Sequence, residues 1–218
     1  MKHRSIVRYG AVAQVLHWAT ALIVLIAFIY GPGGSEERIY APARDFDRQL
    51  HETLGLCVLA LVAIRMLWRT FDTQPDPPPV ARWMAVAAKA IQGGFYLLLF
   101  AIPFTAIVGA WLEGHPLTLL AGLKITPVLG VSHDAGAIFA SIHTWLGDVI
   151  LWLAGIHALA GLYHHFVLKD NVLTSMLPRA LARLVPDPRH FDRIMSRFSR
   201  GKGVFPKAPT PGARVSKK

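Results

Sequence analysis

The chain has 218 residues, 53% of them hydrophobic and 17% charged, with a mean hydropathy of +0.41, which excludes an ordinary soluble domain in favour of a membrane protein. A formal net charge of +10 would suit nucleic acid on a soluble fold, but most basic residues follow apolar runs or fall in a C-terminal tail, which argues against that partner. The single cysteine, Cys57, excludes an internal disulfide framework and cysteine-rich zinc or iron–sulfur sites, so metal chemistry must come from the ten histidines or from carboxylates.

Lys2, His3, Arg4 and Arg8 precede the first apolar run and give it the look of a secretory signal. Ala11 to Tyr30 is too long for that and contains His17 and Trp18, so it reads as a retained helix. It closes at Gly31-Pro32-Gly33-Gly34. A second span is expected from about Leu50 to Trp68, ended by Arg69 and the prolines between Pro75 and Pro79. The third runs from about Ala90 to Leu112 with a kink at Pro103, and the fourth from near His143 to near Leu168. The loop Glu113 to Ile142 lies between them, and its stretch Leu117 to Leu123 is expected along the interface as a short amphipathic piece.

Basic residues orient the bundle. Arg38, Arg44, Arg48 and Lys124 alone fall on the side opposite the N-terminus, with acids such as Glu36, Glu37, Asp45 and Asp47 among them. The positive-inside rule then places both termini in the cytoplasm. The expected architecture is all-α, an integral membrane four-helix up-down bundle in a bacterial inner membrane. Residues 1–178 form the bundle, and residues 179–218 form a basic cytoplasmic tail attracted to anionic lipid.

Imidazoles inside a bilayer are costly and usually functional. His17 lies in the first span near the cytoplasmic side, His51 and His143 at the outer starts of the second and fourth, and His157 fourteen residues beyond His143. Fourteen residues advance a helix by about 21 Å and leave roughly 40° between side chains, so His143 and His157 share a face. His51 is then level with His143, and His17 with His157. Two stacked imidazole pairs are the arrangement that bis-histidine haem requires, whereas zinc sites want three or four protein ligands. Gly55 and Gly147 each stand one turn inward of a histidine and would let a porphyrin approach the backbone. Arg65, fourteen residues past His51, reaches the inner depth as a partner for a haem propionate. His164, at the cytoplasmic end of the fourth span, is a candidate for a quinone site.

These residues resemble the bacterial cytochrome b561 family, small four-helix di-haem cytochromes linked to quinone, over about residues 8–178. The matching segments are Tyr9 to Trp18 with Leu16-His17-Trp18, His51 to Arg69 with Leu67-Trp68-Arg69, and His143 to Pro178 with His157, Lys169-Asp170-Asn171 and Met176-Leu177-Pro178. The resemblance implies two haem b groups on His17, His51, His143 and His157, with ubiquinone as electron acceptor. It also implies a periplasmic donor, which for at least one relative is superoxide. Where the family commonly has histidines early in the third helix, this chain has Lys89 and Gln92. A rival reading is a haem-bearing anchor and electron-transfer subunit for a separate dehydrogenase or soluble cytochrome. A histidine-dependent metal transporter is the third.

Overall fold

The computed structural model describes residues 8–33, 36–76 and 79–186. Seven helices occur among them: α1 (Ala11–Ile29), α2 (Glu36–Ile39), α3 (Asp45–Phe71), α4 (Arg82–Leu112), α5 (His133–Tyr163), α6 (Val172–Met176) and α7 (Arg179–Ala182). A 3-10 turn, Pro42–Arg44, leads into α3, and a π turn, His164–Leu168, prolongs α5. Four of these segments are long and apolar enough to cross a membrane. At about 1.5 Å per residue, even the 19 residues of α1 extend roughly 28 Å.

Three of the four spans start earlier than the apolar runs suggest. α3 begins at Asp45 instead of Leu50, α4 at Arg82 instead of Ala90, and α5 at His133 instead of His143. The α3 extension, Asp45 to Gln49, is largely polar, whereas those of α4 (82–89) and α5 (133–142) are mostly apolar stretches beyond the longest runs. Asp45 and Asp47 sit in the first turn of α3 and Asp134 in that of α5, where carboxylates complement the helix dipole. Arg48 bonds Asp45 at 2.7 Å and Glu52 at 3.1 Å at helical spacings. In α3, hydrophobicity thus marks the bilayer while charge pairing at helical spacing carries the helix beyond it.

Packing is inside-out relative to a soluble bundle. Val58 and Val62 of α3, Leu98 and Leu99 of α4, and Ile150 of α5 form a small buried core. Many large apolar side chains point outward, Leu97 at 70% and Trp152 at 75% exposure among them, as expected where lipid takes the place of water. α1 lies along α3 and α4 along α5. The α4–α5 seam is tight at Gly109, where an added Cβ would come within 3.3 Å of the Ala140 nitrogen. By contrast α5 does not pack closely on α1 or α3; imidazole pairs bridge that separation.

The loop after α4 gives the expected interfacial stretch Leu117–Leu123 the form of a hairpin strand and turn. Leu117–Thr118 (β1) pairs antiparallel with Lys124–Ile125 (β2) around a 3-10 turn at Leu120–Gly122, with positive φ at Ala121 and Gly122. This hairpin folds over the start of α3 and defines one end of the bundle. The other end holds the start of α1 and the segments after α5. The expected tail falls mostly on 187–218, outside the described residues.

Candidate functional site

His51 of α3 faces His143 of α5 at the hairpin end, with ring centroids 5.8 Å apart and planes at 89°. Backbone carbonyls aim both rings. Ala27 lies in the last turn of α1, where carbonyls lack helical partners, and its oxygen accepts from His51 Nδ1 at 2.7 Å. Ile102 precedes Pro103 in α4, and its oxygen accepts from both Thr105 Oγ1 and His143 Nδ1, each at 2.9 Å. A carbonyl can only accept, so each Nδ1 carries the proton and each Nε2 keeps a free lone pair. That is the tautomer that metal-binding histidines present.

His17 of α1 faces His157 of α5 at the other end, with centroids 6.4 Å apart and planes at 72°. Trp18 lies edge-on to His17 and Phe95 to His157, each with centroids 5.4 Å apart. Arg65 Nη1 donates to His17 Nδ1 at 3.2 Å, so α3 delivers a cation to this pair. The four histidines and Arg65 thus gather at two levels.

The arrangement fits haem in three respects. An iron bound by two opposed imidazoles, with metal–nitrogen distances of about 2.0–2.1 Å, separates ring centroids by roughly 6 Å. Both pairs stand at that spacing. A Cβ added at Gly55 or Gly147 would meet nothing within 4 Å, so each glycine borders open space one turn from a histidine. Finally, α5 stands off α1 and α3, as an inserted planar group requires. No cluster of three or more His, Cys, Asp or Glu that could hold a bare metal ion occurs among the described residues.

Spacing arguments missed the cap on the hairpin-end pair. Glu52 follows His51 and uses one carboxylate oxygen to accept from the Thr118 amide, while the other pairs with Arg48 at 3.1 Å. Thr53 Oγ1 accepts from the Leu120 amide at 2.9 Å. Arg48 also lies over the Tyr40 ring at 5.1 Å, and Tyr40 stacks on His115 at 3.6 Å. An acid inside the apolar run with arginine four residues before it was the available signal.

At the opposite end, the segment before and within α1 grips backbone after α5. Arg8 bonds the Leu177 carbonyl at 2.5 Å, Gln14 Nε2 the Ser175 carbonyl at 3.0 Å, and Trp18 Nε1 the Met176 carbonyl at 3.0 Å. His164, the quinone candidate, holds Asp170 Oδ2 at 2.6 Å, and Asp170 Oδ1 also accepts from the Val172 amide. The chain reverses there through left-handed Lys169, which gives Lys169-Asp170-Asn171 a structural reason. His165, beside His164, is 1% exposed.

The chain is similar in sequence to known proteins. The family model described as prokaryotic cytochrome b561 matches residues 8–179. Cytochrome b561 homolog 2 of Escherichia coli K12 is 30% identical over 177 residues, covering 79% of this chain and 93% of that protein. The probable superoxide oxidase CybB of Yersinia pestis is 28% identical, covering 79% and 97%. Cytochrome b562 of Cereibacter sphaeroides is 29% identical, covering 78% and 94%. Four apolar spans, paired intramembrane histidines and a match over most of the chain converge: the protein belongs to the prokaryotic cytochrome b561 family, multi-pass haem-b electron-transfer proteins of the bacterial inner membrane.

Proposed function

We propose that the protein carries electrons across the membrane through two b-type haems, one between His51 and His143 and one between His17 and His157, and exchanges them with quinone. The observation that carries this reading is the pair of facing imidazole couples at haem-compatible separation, 5.8 and 6.4 Å. Bound haem supplies one-electron redox chemistry; the protein supplies orientation and charge. Ala27 and Ile102 fix the hairpin-end rings through their carbonyls. Arg65 is the cation within reach of a propionate at the other pair, and Gly55 and Gly147 leave room for the macrocycle.

The bundle sits with both termini in the cytoplasm, which puts the hairpin on the periplasmic side. The donor acts there, superoxide being one candidate, since a relative is named a probable superoxide oxidase. Quinone is reduced at the cytoplasmic end near His164. The 179–218 segment serves as a basic tail on the lipid surface.

A pyridine haemochrome assay on purified protein should give two haems per chain. His17→Ala and His157→Ala should each remove one haem, and His51→Ala and His143→Ala the other. Loss of a common haem on His17→Ala and His51→Ala would overturn the pairing. Rapid reduction of the purified protein by superoxide, followed by quinone reduction, distinguishes a self-contained oxidoreductase from an anchor subunit, which would be inert to both.

A further inference from the structure

Asp148 is the central residue of the 31-residue helix α5, with about 22 Å of helix on either side against a hydrocarbon half-thickness of roughly 15 Å. Its depth is also marked by Ile150, which belongs to the buried core with Val58, Val62, Leu98 and Leu99. The carboxylate is nonetheless on an exposed residue, and no hydrogen bond or ion pair engages it among the described residues. A short acidic side chain at the middle of a span cannot reach the headgroups, and an intramembrane charge facing lipid calls for a partner.

Its neighbours on the helix surface are unusual for lipid. Trp145, three residues before, is 64% exposed, and Trp152, four residues after, is 75% exposed; both share the face of Asp148. Tryptophan used as a membrane anchor belongs at headgroup level, yet Trp152 lies one turn from the middle of α5. Ser141 and Thr144 continue the face toward the hairpin end and are exposed. Aromatic anchors around a desolvated polar group are the composition of a binding hot spot.

A second copy does not complement this face. Copies in one membrane share orientation, so a two-fold axis along the bilayer normal sets Asp148 against Asp148. The Ser141 and Thr144 hydroxyls already donate to their own helix, to Ala137 at 2.9 Å and Ala140 at 3.1 Å. The required occupant is a donor with positive charge.

We propose that the Asp148 face of α5 docks a membrane-spanning helix of another protein that carries one cationic side chain at mid-bilayer, with Trp145 and Trp152 packing on either side of the ion pair. The bundle thereby has an intramembrane subunit contact on its outer surface, separate from the histidine pairs.

The test uses full-length donor-labelled protein in phosphatidylcholine vesicles with an acceptor-labelled synthetic leucine helix bearing one central lysine. Energy transfer should exceed random proximity. Association should weaken at least tenfold for an all-leucine helix, for a helix with lysine moved two turns toward either end, and for Asp148→Asn, while Asp148→Glu retains it. The peptide series on unaltered protein stands even if a variant fails to fold. Equal transfer with lysine and all-leucine helices, or undiminished binding by Asp148→Asn, overturns the proposal. Self-association of labelled copies that Asp148→Asn abolishes would assign the face to a second copy and overturn it likewise.

Discussion

Removing the Glu52 carboxylate should unlatch the hairpin from the bundle. Its side chain is 12% exposed and that of Arg48 10%, so their 3.1 Å contact is largely shielded; at an effective dielectric of 20, unit charges about 4 Å apart attract by about 4 kcal/mol. Deleting one member of such a pair costs about 3–5 kcal/mol, and stranding the Thr118 amide accounts for about 1–3 kcal/mol of that. Asp45 still holds Arg48 at 2.7 Å, which favours the lower end. Glu52→Ala should therefore shift hairpin docking by about 3 kcal/mol, roughly 150-fold. Glu52→Gln, which keeps an acceptor for Thr118, should lose about 1–2 kcal/mol. Trypsin cleavage after Lys124, an exposed residue of β2, reports the open fraction when reclosing outpaces cutting. The haem absorption spectrum checks that the bundle survives. A cut rate for Glu52→Ala within about threefold of wild type would show that this carboxylate does not hold the hairpin.

Arg65→Gln withdraws a positive charge 3.2 Å from His17 and, with haem held by His17 and His157 as proposed, would disfavour its reduced form. One of two midpoint potentials should fall by roughly 60 mV, the equivalent of about 1.4 kcal/mol; a redox titration in which both move equally, or either rises, contradicts the placement. Gly55→Leu fills open space beside His51 and should cost the hairpin-end haem alone, with helix content by circular dichroism unchanged; retention of two haems refutes the cradle. Gly109→Ala presses a methyl against Ala140 and Phe139 at 3.3 Å and should destabilise the α4–α5 seam by about 1–3 kcal/mol in detergent unfolding, so an unchanged midpoint would mean the helices separate freely. Gln14→Ala removes a buried bond to Ser175 and should cost about 1 kcal/mol in the same assay; no change would mean that this bond does not help hold the two segments together.

How much was legible in the chain depended on the range of the interaction. Four spans could be read from length and apolarity because the bilayer demands some 30 Å of satisfied backbone. The facing of His17 with His157 and of His51 with His143 followed from the fixed rise and rotation of an α-helix over fourteen residues. Helix starts escaped the same reading: α3 reaches back to Asp45 through an acidic first turn and charge pairing and α5 to His133 with Asp134 in its first turn, while α4 begins at Arg82 with no acid there. The role of Leu117–Leu123 was hidden altogether. Its amides meet Glu52 and Thr53 across 66 and 67 residues of sequence, and no local period encodes a contact of that separation. Likewise only the packing of α4 on one side of α5 decides that Asp148 faces out. The sequence by itself determined which segments cross the membrane and which imidazoles meet, because solvent and helix geometry act residue by residue. The cap over one pair, the cation beside the other and the exposed acid on α5 were decided by tertiary structure, since each depends on which helix surfaces are already taken.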